Sequence, residues 1–125
     1  MTVNEISYKV VGIYLELHKA LGPGLLESVY EQALAYDLRE AGFLLNTQVA
    51  LPVVYKEIRM EAGYRADIIV ENKLLLELKS VEALAPVHFS QTLTYIKLGN
   101  FKLGLLINFN SAKLKDSIHR VVNNL

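Results

Sequence analysis

Aliphatic residues dominate two adjoining stretches in the middle of the chain, and a short polar turn separates them. The segment Tyr64–Ser80 reads YRADIIVENKLLLELKS, with apolar residues in consecutive rather than alternating positions on each side of the turn. Continuous runs of this kind are typical of strands covered on both faces, as in the centre of a sheet flanked by helices. If residues 71–73 form the loop of a hairpin, Asp67 lies directly opposite Glu77.

Helical periodicity predicts three helices around this hairpin. The first opens at Asn4 or Glu5, carries one apolar face and ends at Leu21, before a Gly-Pro-Gly breaker. The second runs over about Leu25–Ala41 and is closed by a glycine. The third, Pro86–Leu98, begins with a proline suited to a first turn and is followed by Gly-Asn.

Strand-like segments fill the rest of the chain. Residues 46–55 include Pro52, which argues for an edge strand or a bulge, and residues 58–60 begin the return toward the hairpin, with a bulge at Gly63. Two further strands are predicted, over residues 102–109 and 118–122. The predicted order is therefore α-α-β-β-β-α-β(-β), an α/β (α+β) fold.

Size and composition bound the architecture and the class of partner. With 125 residues, 52% of them hydrophobic, residues 1–125 are predicted to form a single domain with a real core. Because 13 Lys and Arg residues balance 13 Asp and Glu residues, any nucleic-acid contact must come from a local patch. The absence of cysteine excludes a disulfide framework and a Cys-type zinc site. Without a signal-peptide core or an apolar run long enough to cross a bilayer, a soluble cytoplasmic protein is expected.

The hairpin brings charged groups into aliphatic surroundings. Asp67 and Glu77 should repel each other and should be poorly solvated, and a cation is the usual offset. Two carboxylates with open positions suit a hard, oxygen-seeking ion such as Mg²⁺ or Mn²⁺. Lys79 shares a strand face with Glu77 and would lie opposite Arg65, whose guanidinium is either a phosphate clamp or a counter-charge to the carboxylates. The alternative is a surface hairpin whose charges face water.

Helix two carries an acid on its apolar stripe. Glu27 lies there with Tyr30 and Leu34, near the start of the helix. It is either a site carboxylate or an ordinary first-turn acid, which the helix dipole favours by a few tenths to about 1 kcal/mol. Glu31 and Glu40 fall off the stripe and are predicted to be solvated charges.

Three further polar side chains are candidates by position. Gln91 and Tyr95 lie one turn apart on the helix that follows the Glu77 strand, and so project together. Otherwise they are a surface glutamine and a tyrosine that packs its ring. His18, near the last turn of the first helix, is predicted to bond to free carbonyls there, with a supporting role near a phosphate as the alternative.

The candidate residues follow one another in a fixed order along the chain: an acid on an early helix, an Asp, a Glu-x-Lys across a hairpin and a helix with Gln-x-x-x-Tyr. In this order they resemble the PD-(D/E)XK nuclease superfamily. The residues that carry the resemblance are Glu27, Asp67, Glu77-Leu78-Lys79 and Gln91 with Tyr95. Ala66 stands where the superfamily pattern has a proline, a position at which many members vary.

A closer resemblance lies upstream. Residues 24–30, GLLESVY, fit the G-x-x-E-x-x-Y string for which the small GxxExxY family is named, and residues 18–24, HKALGPG, look like its lead-in. Residues 64–67, YRAD, and 104–109, GLLINF, also look like that family. The resemblance therefore covers nearly the whole chain.

The resemblance implies a restriction-endonuclease-like mixed β-sheet flanked by helices, and hydrolysis of nucleic-acid phosphodiester bonds. It implies that Asp67 and Glu77 hold Mg²⁺ or Mn²⁺, helped by the Leu78 carbonyl, and that Lys79 orients the attacking water or binds the phosphate. Glu27 would add a contact near this ion or help a second one. Gln91 and Tyr95 would place the substrate or support Lys79. Arg65, Tyr30 and His18 would contact the substrate.

Three functions stay open at the level of sequence. A metal-dependent nuclease is favoured; the others are a non-catalytic nucleic-acid- or protein-binding module on the same fold, and a small homomeric scaffold with a buried ion network. Nucleic acid is the expected partner, DNA before RNA, and a membrane is not. Small size, a neutral charge balance and an exposed proline-bearing edge strand favour a homodimer.

Overall fold

Helices and strands cover most of the computed structural model, which describes residues 1–125. In chain order they are α1 (Val3–Leu21), α2 (Glu27–Glu40), β1 (Leu45–Ala50), β2 (Val53–Tyr55), β3 (Ile58–Met60), β4 (Arg65–Val70), β5 (Leu74–Lys79), α3 (Pro86–Leu98), β6 (Leu103–Asn108), a 3-10 turn (Leu114–Asp116) and β7 (Ile118–Val122). The predicted succession of helices and strands is confirmed, including the final strand, except that five strands rather than three lie between α2 and α3.

A five-stranded mixed sheet in the spatial order β1-β4-β5-β6-β7 forms the centre of the fold. Its only parallel pair, β5 with β6, is joined by the α3 crossover; the other neighbours are antiparallel. This is the mixed α/β architecture of a restriction-endonuclease-like fold, as predicted. The topology places the end of β5, and the residues that follow it, between two helical layers.

Both faces of the central strand β5 are covered. Leu74, Leu76 and Leu78 join the larger core, which α1 and α2 close on one face of the sheet. Leu75 joins the smaller core on the other face, with Ile96 of α3. The prediction of strands buried on both sides is therefore confirmed.

The strand predicted over residues 46–55 is wrong in one respect. It divides into β1 and β2 at Leu51-Pro52, because proline has no N–H to donate to a ladder. The return strand divides as well: β3 pairs only with β2, in a separate two-stranded hairpin, and β4 begins anew at Arg65. Gly63, with a φ of +81°, lies in the connection, where glycine tolerates the left-handed backbone.

The loop between α1 and α2 is held by one buried tyrosine. The Tyr30 hydroxyl accepts a hydrogen bond from the Leu25 N–H at 3.0 Å and donates one to the Gly22 carbonyl. Its ring stacks on Phe109 at a centroid distance of 4.1 Å. Because this keeps residues 22–26 out of the helix, α2 begins at Glu27 rather than at the predicted Leu25.

Replacing Gly104 should destabilise the fold. This residue lies in β6 under α3, and a Cβ there would meet the Ile96 Cγ2 atom at 2.8 Å. We expect Gly104→Ala to lower the free energy of unfolding by about 1–3 kcal/mol through overpacking. As a control, Gly12→Ala on α1, where nothing lies within 4 Å of the new Cβ, should raise it by roughly 0.5–1 kcal/mol. Urea denaturation measures both, and a neutral Gly104→Ala would contradict the packing described.

Candidate active site

Both ladders of β4 lose their regular pairing at Asp67. Against β1, pairing skips from Thr47↔Ile68 to Val49↔Ala66, and against β5 it ends at Ile68↔Leu76. The backbone of this residue is therefore free of the regular ladders, in the middle of the sheet.

Carboxylates take over the hydrogen bonds that the β4–β5 ladder gives up. The Asp67 N–H donates to Glu77 Oε1 at 3.1 Å, and the Leu78 N–H donates to Asp67 Oδ2 at 2.8 Å. The two acids thus lie next to each other across the hairpin, as its register predicts. Each carboxylate has one oxygen held in place by backbone.

Burial sets the electrostatics of this pair. Glu77 is only 4% exposed, and burial together with the negative charge of Asp67 raises the pKa of Glu77 to about 8. Burial likewise raises the pKa of Asp67, although the Leu78 N–H bond and the positive charge of Lys79 act against it. Neither acid forms an ion pair. The two ion pairs of the structure, Lys19–Glu16 and Arg59–Glu61, lie elsewhere, on the surface.

The predicted pairing of Arg65 with Lys79 is wrong. Arg65 pairs with Ala50 of β1, and its exposed guanidinium reaches the Gln48 carbonyl at 3.4 Å. Lys79 pairs with Asn108 of β6 and is partly buried. The β4–β5 ladder ends at Ile68↔Leu76 and therefore does not reach these two residues.

Helix α2 joins the site through its first residue. Glu27 Oε1 accepts a hydrogen bond at 3.0 Å from the N–H of Ser80, the residue after β5, and the Ser80 hydroxyl donates to the Leu25 carbonyl. Glu27 is also among the charges that raise the pKa values of Asp67 and Glu77, behind burial. This acid therefore docks the helix start against the strand that carries the other site residues.

Glu31 was predicted to be a solvated charge, and the structure corrects this. It is partly buried, and its Oε1 accepts a hydrogen bond of 2.6 Å from the Gln48 side-chain amide. Burial raises the pKa of Glu31, with Asp67 adding a smaller effect. Its spacing of four residues from Glu27 puts both acids on one helix face, so the sequence did carry a signal for it.

Gln48 is a second residue that sequence reasoning missed. Its amide nitrogen lies 2.6 Å from Glu31 Oε1 and 3.3 Å from Asp67 Oδ1. It has a φ of +50°, a left-handed conformation that costs a residue other than glycine roughly 1–3 kcal/mol. Gln48, Glu31 and Asp67 line a cleft of about 400 Å³ together with Glu27, Ser28 and Leu78.

Asn108 was also missed. It is buried at the end of β6, where its Oδ1 accepts from the Val81 N–H at 3.1 Å and its Nδ2 donates to the Val81 carbonyl at 3.0 Å. These bonds fix the chain where it leaves β5 just after Lys79. The sequence signal for this residue was a single asparagine within an otherwise apolar strand.

Helix α3 brings Tyr95 toward the carboxylates from the other face. The Gln91 amide donates to the Tyr95 hydroxyl at 3.1 Å, and the Tyr64 ring lies 5.8 Å from the Tyr95 ring. Burial raises the pKa of Tyr95, and the negative charges of Glu77 and Asp67 add to the effect. Gln91 and Tyr95 therefore project together, as their spacing predicts.

Two predicted substrate contacts lie in the interior instead of lining the cleft. Tyr30 is fully buried in the packing described above. His18 is 7% exposed, and its Nε2 bonds to the Ser111 carbonyl at 3.0 Å, so it does not bond to carbonyls of its own last turn as predicted. Both residues pack the α1–α2 layer, and their roles as substrate contacts stay predictions.

The donor set suits a hard divalent cation. Asp67 and Glu77 offer carboxylate oxygens, the ligand type that Mg²⁺ and Mn²⁺ prefer, and neither forms an ion pair with a cationic side chain. No group of three or more acidic, histidine or cysteine side chains converges as a ready-made metal cage. The predicted set, two carboxylates and the Leu78 carbonyl, would leave the other coordination positions to water or substrate oxygens.

Two apposed acids with a lysine on a strand pair, between helices that supply a further acid and a Gln-Tyr pair, have the organisation of a metal-dependent nuclease. The family model of the PD-(D/E)XK nuclease superfamily matches residues 4–121, and the chain therefore belongs to that superfamily. Membership implies a nucleic-acid substrate and, as is usual there, divalent metal ions. No curated protein and no solved structure gave a match. None of the helices has the length and apolar character that crossing a membrane would require.

Stability should depend on pH through Glu77 when metal is absent. Its folded-state pKa of about 8 lies above the ordinary value of 4.5, so the folded protein keeps a proton that the unfolded chain releases between these pH values. With EDTA present, we therefore expect the free energy of unfolding to fall as pH rises from about 5 to 8. Glu77→Gln should flatten this slope, whereas Glu40→Gln, an exposed control, should retain it. Parallel slopes for wild type and Glu77→Gln in urea titrations would contradict the buried, protonated acid.

Proposed function

We propose that the chain is a divalent-metal-dependent nuclease that hydrolyses nucleic-acid phosphodiester bonds, with DNA favoured over RNA, and that it is a member of the GxxExxY family. One observation carries the proposal: Glu77, which is buried, and Asp67, which is partly buried, lie side by side without an ion pair to a cationic side chain, and each has an oxygen held by backbone. Such a pair is costly unless a cation joins it, and a nuclease needs a cation at that point.

Asp67 and Glu77 would hold the Mg²⁺ or Mn²⁺ ion, with help from the Leu78 carbonyl. When bound, the ion supplies neutralising charge for the scissile phosphate and lowers the pKa of water. The protein prepares for this by orientation: the Leu78 N–H holds Asp67 Oδ2, and the Asp67 N–H holds Glu77 Oε1. Glu77 Oε2 accepts no hydrogen bond from the protein and keeps some solvent contact, so it is available as a ligand.

Lys79 would orient the attacking water or bind the scissile phosphate. It lies close enough to lower the pKa values of both acids, yet it forms no ion pair, so its ammonium group remains available to the substrate. The Tyr95 hydroxyl accepts from Gln91 and therefore keeps its own proton to donate to the substrate. Glu27 supports the start of α2 and could assist a second ion.

Contacts to the rest of the substrate are proposed on charge and exposure. The Arg65 guanidinium is exposed beside the cleft and can bind two phosphate oxygens at once. With no excess of basic residues in the chain, such local contacts must supply the attraction to nucleic acid.

We also propose a homodimer of single-domain chains in the cytoplasm. The surface of the β2–β3 hairpin is an argument for a dimer: Tyr55 and Ile58 pair across the hairpin, and each is 59% exposed. Exposed apolar residues grouped on one small surface are typical of interfaces.

Removing one metal-site carboxylate should abolish cleavage and spare the fold. We expect Glu77→Ala and Asp67→Ala to lower cleavage by on the order of 100-fold or more, since several kcal/mol of charge stabilisation would be lost. The isosteric variants Glu77→Gln and Asp67→Asn keep an oxygen that can accept the backbone N–H bond, so without metal neither should melt earlier than wild type, because each removes one of two opposed carboxylates. The assay is cleavage of single-stranded, duplex and branched DNA and RNA with Mg²⁺ or Mn²⁺.

Lys79→Met is tested in the same assay. Two exposed positions provide matched controls: Glu40→Ala for the acids and Lys97→Met for Lys79→Met. Cleavage that persists in Glu77→Ala would contradict the proposal. Metal binding by wild type without cleavage of any substrate in the panel would instead support a non-catalytic binding module.

A further inference from the structure

Gln48 has a backbone conformation that its sequence position does not explain. It lies within β1, between Thr47 and Val49, which both pair regularly with β4, yet its φ is +50°. Left-handed φ values in proteins belong mostly to glycine and asparagine, and Gln48 is neither. Such an outlier persists only where the surroundings hold it.

The surroundings of Gln48 are two carboxylates from different elements. Its amide nitrogen donates to Glu31 of α2 at 2.6 Å and to Asp67 of β4 at 3.3 Å. Its carbonyl accepts from the Arg65 guanidinium at 3.4 Å. An unstrained strand residue at this point would continue the ladder; the left-handed turn instead accompanies a side chain that reaches both acids.

A neutral amide suits this position for an electrostatic reason. It provides two N–H donors, enough to orient two carboxylates, and it adds no charge. Lys or Arg at the same place would also orient Asp67, but would neutralise it and compete with a divalent cation. The Asp67 carboxylate is then held at both oxygens, Oδ2 by the Leu78 N–H and Oδ1 by the Gln48 amide, and keeps its charge when ionised.

We propose that Gln48 is a positioning residue for the nuclease reaction: through its amide it fixes the Asp67 carboxylate, and links it to Glu31 of α2, in the orientation that binds a divalent cation. This inference rests on the proposed function, because it assigns Asp67 as a metal ligand. Gln48 belongs to none of the motifs by which the site was predicted, and it acts through Asp67 rather than on the substrate.

Replacement by glycine separates positioning from folding. Glycine adopts a φ of +50° without strain, so Gln48→Gly removes the amide while the backbone conformation stays accessible. Lys56→Gly is the matched control, because Lys56 has a φ of +53° in the β2–β3 turn, away from the cleft. Asparagine also tolerates this region, so Gln48→Asn tests whether a shorter amide restores part of the function.

Titration calorimetry with Mn²⁺ provides a readout that does not depend on cleavage. We expect Gln48→Gly to weaken Mn²⁺ affinity by about 10-fold or more, the usual effect of removing a group that orients a metal ligand. Its melting temperature without metal should be no lower than that of wild type. Lys56→Gly should bind Mn²⁺ as wild type does, and Gln48→Asn should fall between wild type and Gln48→Gly.

The outcomes distinguish this inference from the proposed function. If wild type binds Mn²⁺ and cleaves nucleic acid, and Gln48→Gly binds Mn²⁺ equally well, the positioning role is overturned and the nuclease stands. If wild type binds Mn²⁺ without cleaving, and Gln48→Gly loses affinity, Gln48 still positions Asp67 for the metal but the nuclease falls. Absence of Mn²⁺ binding by wild type overturns both.

Discussion

The structure depends on a reciprocal exchange of hydrogen bonds between Asp67 and the Glu77-Leu78 segment. Where the β4–β5 ladder ends, the Asp67 N–H of β4 donates to the Glu77 carboxylate of β5, and the Leu78 N–H of β5 donates to the Asp67 carboxylate of β4. The strands therefore stay joined without their regular pairing, and two acids, Glu77 buried and Asp67 partly buried, are brought together in the middle of the sheet. The arrangement satisfies the backbone but leaves two desolvated carboxylates side by side, which oppose each other until a proton or a cation joins them.

The elements around the pair hold it without neutralising it. Glu27 caps the N–H of Ser80 just beyond β5, Asn108 fixes the next residue of the chain, and Gln48 reaches Asp67 from the edge strand. None of these groups carries positive charge. Lys79 is the nearest cation that influences the pair, and it stays outside ion-pair distance. This is the organisation expected of a site that is to accept a divalent ion together with an anionic substrate.

The sequence was sufficient for the features that periodicity and turn length control. The register of the hairpin, the bounds of α3 and the burial of β5 on both faces follow from consecutive apolar residues, a proline and a three-residue loop. It was insufficient where tertiary contacts decide. The Tyr30 hydroxyl delays the start of α2, and Arg65 pairs with β1 rather than facing Lys79. Glu31 could have been predicted from its spacing to Glu27. The left-handed backbone of Gln48 could not, because a single glutamine in a strand carries no sequence signal for it.

We infer that the Asp67–Glu77 pair shares its site with a proton until a divalent cation replaces it. Calorimetric titration with Mn²⁺ at pH 7, in two buffers of different ionisation enthalpy, measures the protons released on binding. We expect a release approaching one proton per ion in wild type, because burial and the charge of Asp67 raise the pKa of Glu77 to about 8, and a much smaller release in Glu77→Gln. Binding with no proton release in wild type, or the same release in both proteins, would contradict it.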